Sequence, residues 1–259
     1  MGVLVRSITG ISLRPGKEEL VKSRLSKRLR ALKIDSFDAY LDYVEADCTG
    51  DELCRMIDEL TTNKTSFFRE SEHFDYVSNI ILPKIAGREV RFWSAGCSSG
   101  EEPYTMAVVL REHIKDFRNR DVRILATDIS PSMLKRAQSA RYGEEVVSSV
   151  PPVLLTKYFA CVKGERPREY AVTDEIKSMV KFARLNLMGP WCMKGQFDVI
   201  FCRNVMIYFD EATRLNLVCR FCQKLGPGGY LFLGLSESLL GGCEGYKYIQ
   251  PGVYRKEGM

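Results

Sequence analysis

From residue 89 onward, short apolar segments alternate with amphipathic ones, and this alternation restricts the possible folds more than any other feature of the chain. The predicted strands lie at 89–94, 122–126, 197–202 and 230–234, and the predicted helices at 102–115, 131–139 and about 210–225. A Gly-Pro-Gly-Gly run at 226–229 predicts a turn before the last strand. Strands that alternate with helices form a parallel sheet covered on both faces. We therefore predict an α/β domain, residues 86–259, with a doubly wound, Rossmann-like sheet.

The first 85 residues carry helical patterns instead. Apolar residues recur at spacings of four, four and three along residues 17–33, which is the pattern of one buried helical face; they are Val21, Leu25, Leu29 and Leu32. Further helices are predicted at 36–48, 51–62 and 71–86, with Ser36 as an N-cap and Pro83 interrupting the last one. Apart from a weak strand signal at Val3–Ile8, the pattern predicts a small all-helical N-terminal domain, residues 1–85.

Residues from about 150 to 183 break the alternation. This stretch contains Pro151-Pro152, a run rich in Lys, Glu, Arg and Pro at 163–168, and short candidate strands at 170–172 and 179–182. Such a composition is typical of turns and short edge strands. We predict a small antiparallel β subdomain inserted in the α/β domain.

Charge and cysteine content limit the locations and partners of the protein. The net charge is +5, and residues 14–33 contribute +6, from eight basic and two acidic residues, so the rest of the chain sums to −1. No apolar run approaches the roughly 18 residues of a transmembrane helix. Nine cysteines, an odd number, suggest no disulfide framework, so we expect a cytoplasmic protein. The pair Cys219 and Cys222 has no second pair nearby, which favours packing over a zinc site.

The turn after the first predicted strand lies where an open α/β sheet binds its ligand. It reads Ser94-Ala95-Gly96-Cys97-Ser98-Ser99-Gly100 and lacks the G-x-G-x-x-G pattern of dinucleotide sites. Glu101 and Glu102 open the next helix. Two carboxylates repel a diphosphate but attract a sulfonium, which favours S-adenosylmethionine over a nicotinamide cofactor. The alternative is a tight turn whose two acids favour the helix dipole.

Asp128 ends the second predicted strand. A carboxylate at that place can accept hydrogen bonds from ribose hydroxyls, and the alternative is an N-cap for the next helix. Together, the turn and Asp128 predict a Rossmann-type cofactor site.

Six segments, in the same order, closely resemble motifs of the CheR chemoreceptor methyltransferases, and the resemblance covers about residues 15–255. They are the basic helix at 27–32, TTNKTSFFRE at 61–70, the strand and turn at 92–104, ATDI at 126–129, FDVIFCRNVMIYF at 197–209, and GGYLFLG at 228–234 with SES at 236–238. The segment at 197–209 is the most specific of the six.

The resemblance implies transfer of a methyl group from S-adenosylmethionine to glutamate side chains on the cytoplasmic helices of chemoreceptors. The products would be glutamate methyl esters and S-adenosylhomocysteine, and no metal is expected. The residues that it assigns to the cofactor are Asn63, Thr65, Arg69, Gly96, Glu101, Glu102, Asp128, Asn186, Leu187, Arg203 and Asn204. We expect Arg69 to orient the acceptor and Tyr208 to position its oxygen. The alternatives are an ion pair of Arg69 with Glu70 or Glu72, and core packing of Tyr208.

The basic helix carries Arg24, Lys27, Arg28 and Arg30. The resemblance implies that it docks on the acidic helices of the receptor, and the alternatives are an ordinary solvated face or a nucleic-acid surface. The patch is short and has no aromatic residues clustered beside it, which argues against nucleic acid. We expect a monomer without direct membrane insertion, and leave open whether the inserted subdomain binds a receptor peptide.

A glutamate acceptor agrees with the histidine content of the chain. An unperturbed glutamate titrates near 4.3, so the acceptor is ionised at neutral pH and needs no general base. The chain has only two histidines, His73 and His113, neither of them in a site motif. Two other functions stay open, a methyltransferase of another protein or of nucleic acid, and a non-catalytic adaptor that binds S-adenosylmethionine. Cys97 lies where many members of the family are richer in alanine, which leaves open a redox-sensitive turn.

Overall fold

The computed structural model describes residues 18–60, 63–85, 89–162, 164, 167–239 and 245–257. The strand predicted at Val3–Ile8, the first basic residues of the 14–33 window and Cys243 lie outside these ranges. Every cysteine within them is a free thiol. None of the helices in these ranges has the length and apolarity needed to cross a membrane.

Among the described residues, the first three predicted helices are present: α1 (Glu18–Leu32), α2 (Phe37–Ala46) and α3 (Asp51–Leu60). Ser36 caps α2, because its hydroxyl accepts a hydrogen bond from the Ala39 amide at 3.1 Å. The helices pack around the fully buried side chains of Leu25, Tyr40 and Met56. The predicted apolar stripe of α1 is therefore the buried face of this small domain.

A buried ion pair joins these helices. Arg28 of α1 donates two hydrogen bonds to the Glu52 carboxylate of α3, at 2.9 and 2.6 Å. The Tyr40 hydroxyl of α2 donates a third, at 2.9 Å. Glu52 is only 4% exposed, so its charge depends on these partners.

The segment after residue 62 packs on the α/β domain. It contains α4 (Ser71–Tyr76), a π-helical turn (Val77–Ile81) and a 3-10 turn (Leu82–Lys84). Its buried side chains belong to the same apolar core as those of the central sheet; they include Phe67, Phe74, Val77, Ile81 and Leu82. Residues 63–85, predicted as part of the helical domain, therefore pack on one face of the sheet, while the buried residues of α1–α3 join the core on its other face.

The α/β domain has a seven-stranded central sheet. Its strands are β1 (Glu89–Ala95), β2 (Asp121–Asp128), β6 (Val180–Arg184), β7 (Phe197–Cys202), β8 (Leu225–Leu233), β9 (Tyr246–Gln250) and β10 (Val253–Lys256). The order is β6-β2-β1-β7-β8-β10-β9. The strands from β6 to β8 are parallel, and β10 runs antiparallel to both β8 and β9. This is the predicted doubly wound sheet with an antiparallel edge.

Helices cover both faces of the sheet. They are α5 (Glu101–His113), α6 (Pro131–Ser139), α9 (Asp174–Ser178) and α10 (Glu211–Lys224). The short helices α7 (Glu144–Val147) and α8 (Pro152–Tyr158) contact the inserted subdomain instead, and 3-10 turns lie at Phe117–Asn119 and Met206–Tyr208. Neighbouring strand residues enter opposite cores: Phe92 and Phe201 lie in one, and Trp93 and Ile200 in the other. Burial on both faces explains why the parallel strands are nearly continuous apolar runs.

The inserted subdomain is a three-stranded antiparallel sheet of β3 (Arg141–Gly143), β4 (Phe159–Cys161) and β5 (Glu169–Val172), in the order β3-β5-β4. The prediction that the strand at 179–182 belongs to it is wrong, since β6 pairs in parallel with β2 in the central sheet. Helix α9 returns the chain to that sheet edge. The subdomain also begins at β3, before residue 150.

The Gly-Pro-Gly-Gly run at 226–229 is predicted to form a turn before the last strand. In the structure it lies within β8 instead. The pairing of β7 with β8 shifts register between Phe197 and Val199, so that Phe197 faces Leu225 while Val199 faces Tyr230. The extra residues bulge from the strand, and Gly228 has a φ of +70°. Glycine permits that conformation.

We expect Arg28→Ala to lower the free energy of unfolding by about 3 kcal/mol, because it leaves the Glu52 carboxylate buried without its cation. Urea denaturation of the whole chain measures the change. Lys27→Ala, at an exposed neighbouring position, is the matched control and should differ from the parent by less than about 0.5 kcal/mol. Equal effects of the two substitutions would mean that Arg28 does not stabilise the helical domain.

Candidate functional site

A cleft opens at the carboxyl edge of the parallel strands, where β1 lies between β2 and β7. This position is the topological switch point of the sheet, at which open α/β folds bind their ligands. The cleft holds about 920 Å³ of empty space, part of it open to solvent. Its lining residues are Asn63, Lys64, Thr65, Arg69, Gly96, Ser98, Glu102, Asp128, Ile129, Leu185, Asn186, Leu187, Arg203, Asn204, Val205, Tyr208 and Phe209. Of the residues predicted for the cofactor or for catalysis, only Glu101 does not line it.

The turn after β1 forms the floor of the cleft because its backbone approaches a neighbouring loop closely. Gly96 has a φ of +94°, and a Cβ atom there would lie 2.5 Å from Val205 Cγ2. The amides of Gly96 and Cys97 both donate to the Thr127 carbonyl, at 2.8 and 2.9 Å. A side chain at residue 96 would therefore both strain the turn and fill the cleft.

Asp128 lines the cleft from the end of β2 and is 9% exposed. One of its oxygens accepts from the Ser98 amide at 2.8 Å, and the other from the Ser130 amide at 2.9 Å. Burial raises the pKa of this carboxyl, while the backbone donors oppose that shift. The alternative role as N-cap is taken by Ser130, whose hydroxyl accepts from the Met133 amide. Each Asp128 oxygen keeps a further lone pair for a ligand hydroxyl.

The two glutamates that begin α5 have different environments. Glu102 lines the cleft, and its carboxylate accepts from the Ser94 hydroxyl at 2.6 Å and from Arg203 Nε at 3.0 Å. Glu101 is 2% exposed and accepts from the Ser99 hydroxyl, and burial raises its pKa. Consecutive helical residues point about 100° apart, so one of the pair faces the cleft and the other the interior. The structure therefore places Glu102 in the cleft lining and Glu101 outside it.

The Arg203 guanidinium, 2% exposed, is held by three elements. Besides Glu102 of α5, it donates to the Arg69 carbonyl at 2.7 Å, and its Nη1 lies 3.2 Å from His73 Nδ1 of α4. The Glu70 carboxylate is 3.9 Å away. The Glu102 carboxylate thus contacts a buried cation from a predicted motif, and that cation is in turn in contact with a histidine that the sequence analysis did not assign to the site.

Residues 63–69 form the wall of the cleft between the two domains. Ser98 donates to the Asn63 carbonyl at 3.0 Å, and the Thr105 hydroxyl of α5 accepts from the Phe68 amide at 3.1 Å. The Arg69 side chain donates to the Lys64 carbonyl at 2.9 Å. The alternative for Arg69, an ion pair with Glu70 or Glu72, is not the arrangement seen, and its side chain lines the cleft.

Glu237 fixes the loop that follows β7. Its carboxylate accepts from the amides of Asn204 at 2.7 Å, Ile207 at 3.1 Å and Gly234 at 2.7 Å. Asn204 has a φ of +58°. Glu237 is 7% exposed, and burial raises its pKa. Tyr208, which lines the cleft, directly follows Ile207, so Glu237 fixes the backbone next to a predicted catalytic residue.

The adenine-side residues predicted from the motif follow β6. The Asn186 side chain accepts from the Met188 amide at 2.9 Å, and the Leu187 carbonyl accepts from Arg220 at 2.5 Å and from the Trp191 indole at 3.2 Å. These bonds fix the chain where it lines the cleft.

The basic helix presents fewer free charges than predicted. Lys27 and Arg30 are exposed. Arg24 is half-buried and donates to the Leu60 carbonyl at 2.7 Å, and Arg28 is bound to Glu52 inside the helical domain. The structure thus places the Arg28 guanidinium in an ion pair with a buried carboxylate, and its docking role stays a prediction.

Sequence reasoning missed several residues of the cleft, namely Lys64, Ser98, Ile129, Leu185, Val205 and Phe209, together with the supporting His73 and Glu237. Most lie one or two positions from a predicted residue, so the motifs located the segments but not every side chain.

Burial raises the Cys97 pKa well above its usual value, which makes this thiol unreactive. In the part of the chain that the structure covers, no cluster of three potential metal ligands occurs.

Known families and relatives match most of the length of the chain. A family described as "CheR methyltransferase, all-alpha domain" matches residues 3–61, and one described as "CheR methyltransferase, SAM binding domain" matches residues 63–252. The chain is 43% identical to a chemotaxis protein methyltransferase of Borreliella burgdorferi, over 95% of this chain and 89% of that protein. It is 38% identical to the chemotaxis protein methyltransferase of Escherichia coli, over 91% and 82%.

Solved structures of S-adenosylmethionine (SAM) methyltransferases are more distant. The glycopeptide N-methyltransferase MtfA complexed with sinefungin is 12% identical, with a TM-score of 0.40, over 66% of this chain and 50% of that one. Magnesium protoporphyrin IX methyltransferase of Synechocystis with bound SAM is 14% identical, with a TM-score of 0.39, over 72% and 76%.

We expect Asp128→Asn to weaken S-adenosylhomocysteine binding roughly tenfold, because an amide must turn its NH₂ group toward Ser98 N, Ser130 N or the ligand. Isothermal titration calorimetry measures the affinity without any methyl acceptor. Asp174→Asn, which removes an exposed carboxylate of α9, is the control. Binding of Asp128→Asn within about twofold of the parent would exclude Asp128 from the ligand contacts.

Glu237→Gln is expected to lower the free energy of unfolding by about 2 kcal/mol, because its NH₂ group opposes fixed backbone donors. Glu101→Gln is a matched control, since Glu101 is equally buried but accepts from a hydroxyl that can rotate and accept instead. Thermal unfolding compares the two variants. A smaller loss for Glu237→Gln than for Glu101→Gln would contradict the role given to the three amides.

Proposed function

The chain belongs to the CheR methyltransferase family, and from this premise we propose that it transfers a methyl group from SAM to glutamate side chains on the cytoplasmic helices of chemoreceptors. The products are glutamate methyl esters and S-adenosylhomocysteine. One observation carries the proposal: a single cleft contains the carboxylates of Glu102 and Asp128, which suit the cofactor, together with Arg69 and Tyr208. The last two suit a carboxylate acceptor. A protein with this activity works in the cytoplasm.

The residues of the cleft fit the cofactor. The free lone pairs of Asp128 suit the two ribose hydroxyls, and the space that a side chain at Gly96 would fill admits the ligand beside the strand ends. Glu102 offers a carboxylate for the charged methionine end, with Asn63, Thr65, Arg69, Arg203 and Asn204 around it. Asn186 and Leu187 offer a polar and an apolar contact for adenine. When bound, SAM supplies an electrophilic methyl group on a sulfonium.

The acceptor needs orientation more than proton transfer. A glutamate side chain is already ionised at neutral pH. No histidine lines the cleft among the residues that the structure covers, and His73, behind Arg203, has its pKa lowered to about 4 by burial and by the Arg203 charge. A site without a general base near pH 7 suits a carboxylate acceptor better than a protonated amine.

Arg69 and Tyr208 supply the orientation. The Arg69 guanidinium attracts the acceptor carboxylate, and the Tyr208 hydroxyl donates to one of its oxygens so that the other faces the methyl carbon at about 3 Å. The reaction joins an anion to a sulfonium and so removes charge. Strong stabilisation of the acceptor anion would slow it, which favours one mobile cation and one neutral donor over a fully enclosed anion site.

The receptor reaches the cleft past the helical domain. Lys27 and Arg30 are exposed on α1, and receptor helices rich in glutamate complement such a surface electrostatically. The docking surface proposed here is restricted to these two residues, with Arg24 at its margin. A methyltransferase of another protein remains the alternative enzyme, and a non-catalytic adaptor is disfavoured because the cleft retains Arg69, Arg203 and Tyr208.

The direct test incubates the protein with methyl-labelled SAM and a cytoplasmic fragment of a chemoreceptor from the same cell. Alkali-labile label that is released as volatile methanol identifies a carboxyl methyl ester and supports the proposal. Alkali-stable label would identify an N-methyl product and overturn the acceptor class. No label with a panel of receptors, despite calorimetric binding of the cofactor, would overturn the receptor as substrate.

We expect Tyr208→Phe to lower kcat for receptor methylation about tenfold, since one hydrogen bond to the acceptor is lost. The affinity for S-adenosylhomocysteine should stay within about twofold. Tyr248→Phe, at an exposed tyrosine of β9, is the matched control. A Tyr208→Phe enzyme with parental kcat would remove Tyr208 from the reaction.

A further inference from the structure

The cluster behind Glu102 contains a titratable group that the proposed reaction does not use, the imidazole of His73. Its side chain is 0% exposed. Its ring centroid lies 5.3 Å from that of Phe232 and 6.4 Å from that of Phe201, in edge-on geometry. Its Nδ1 lies 3.2 Å from Arg203 Nη1, within hydrogen-bond distance, and 3.6 Å from a Glu70 carboxylate oxygen, beyond that distance.

In a hydrogen bond between Arg203 and His73, the donor and the acceptor can be assigned. Arginine stays protonated in proteins, and each of its nitrogens only donates. His73 Nδ1 therefore accepts, which leaves the ring proton on Nε2, a buried atom without a hydrogen-bond partner among the described residues. Burial and the Arg203 charge lower the His73 pKa to about 4, against the opposing charges of Glu70 and Glu72, so the ring is neutral near pH 7.

We propose that His73 is a positioning residue for cofactor binding: its neutral ring accepts a hydrogen bond from Arg203 and thereby fixes the guanidinium that orients the Glu102 carboxylate in the cleft. The inference rests on the proposed binding of SAM beside Glu102. It gives a role to a residue that neither touches the cleft nor titrates in the reaction.

The three partners of Arg203 explain why a neutral acceptor suits position 73. The Glu102 and Arg69 contacts, at 3.0 and 2.7 Å, fix Nε and Nη2, and His73 fixes Nη1. Without the third partner, a buried N–H would lose its acceptor, and the guanidinium would turn toward Glu70, now 3.9 Å away. A carboxylate at position 73 would instead compete with Glu102 for the only cation in this cluster of described residues.

The opposite side of the ring is equally constrained. A Cβ atom at Gly252 would lie 2.9 Å from His73 Nε2 and 2.6 Å from the Leu233 carbonyl, and Gly252 has a φ of +70°. Glycine at position 252 therefore leaves room for the imidazole that any larger residue in the turn between β9 and β10 would fill.

The tautomer provides a test that needs no ligand or activity. The chain has two histidines, and His113 Nδ1 lies 2.9 Å from the Val109 carbonyl, so it must donate. Neutral His73 and His113 are therefore expected as opposite tautomers in a long-range ¹H–¹⁵N spectrum, with His113→Gln giving the assignment. A proton on His73 Nδ1 would overturn the proposal.

Affinity provides the second test. His73→Asn keeps an acceptor oxygen near the position of Nδ1, whereas His73→Leu has a similar volume and no acceptor. We expect S-adenosylhomocysteine affinity, measured by calorimetry, to fall about tenfold or more for His73→Leu and less than about threefold for His73→Asn. His113→Gln should bind like the parent.

The outcomes separate this proposal from its premise. A purely structural role would lower the melting temperature of both His73 variants and leave their affinities equal, which overturns the proposal. Parental affinity of His73→Leu would do the same. If the parent itself failed to bind S-adenosylhomocysteine, the assignment of the cleft would fail, while the tautomer measurement would still decide how His73 and Arg203 interact.

Discussion

Arg203 carries a full positive charge inside the protein, and the arrangement of the cleft follows from the need to satisfy it. A buried guanidinium is costly unless its donors and its charge are matched. Its partners come from the segment between the domains, from α4 and from α5, and the rings of Phe74 and Phe201 flank it at 5.3 and 5.5 Å. Correct folding of these elements and assembly of the cleft are therefore the same event.

Two buried carboxylates hold the loops in place, as Arg203 holds the segments that contact it. Asp128 and Glu237 each accept backbone amides from loops at the carboxyl edge of the sheet. Loops of this kind are ordinarily the most mobile parts of an α/β domain. Here a charged acceptor replaces the missing secondary-structure partners, and the ligand meets a surface that is already organised.

The sequence was sufficient wherever a local pattern determined the outcome. The strand ends were predictable from apolar runs followed by turns, and this is why the turn at Gly96 and Asp128 could be placed at one edge, whereas Arg203 was assigned by the family resemblance. It failed where a distant partner decides. Glu101 accepts from Ser99 and Glu102 from Arg203, and no local pattern distinguishes these two environments. Similarly, no local pattern shows that Arg28 pairs with Glu52, 24 residues away.

The same limit explains the errors of architecture. The strand Val180–Arg184 looked like part of the insert because its partner, β2, precedes it by more than 50 residues, so no local signal marked the pairing. The glycines at 226–229 signalled a turn, but the partner strand β7 absorbs them as a bulge. His73 was passed over because its importance depends on Arg203, which is 130 residues distant.

The wall formed by residues 63–69 has a consequence for how such proteins can be recombined. This segment is bonded to Ser98, Thr105 and Arg203, so it belongs structurally to the sheet even though it adjoins the helices. A helical domain exchanged between relatives at residue 62 leaves the cleft with its own wall. An exchange at residue 85 replaces that wall and His73 by the corresponding residues of the relative, which pack against the relative's own α/β domain. Residues 63–85 thus pack with the sheet, although their helical pattern groups them with the N-terminal helices.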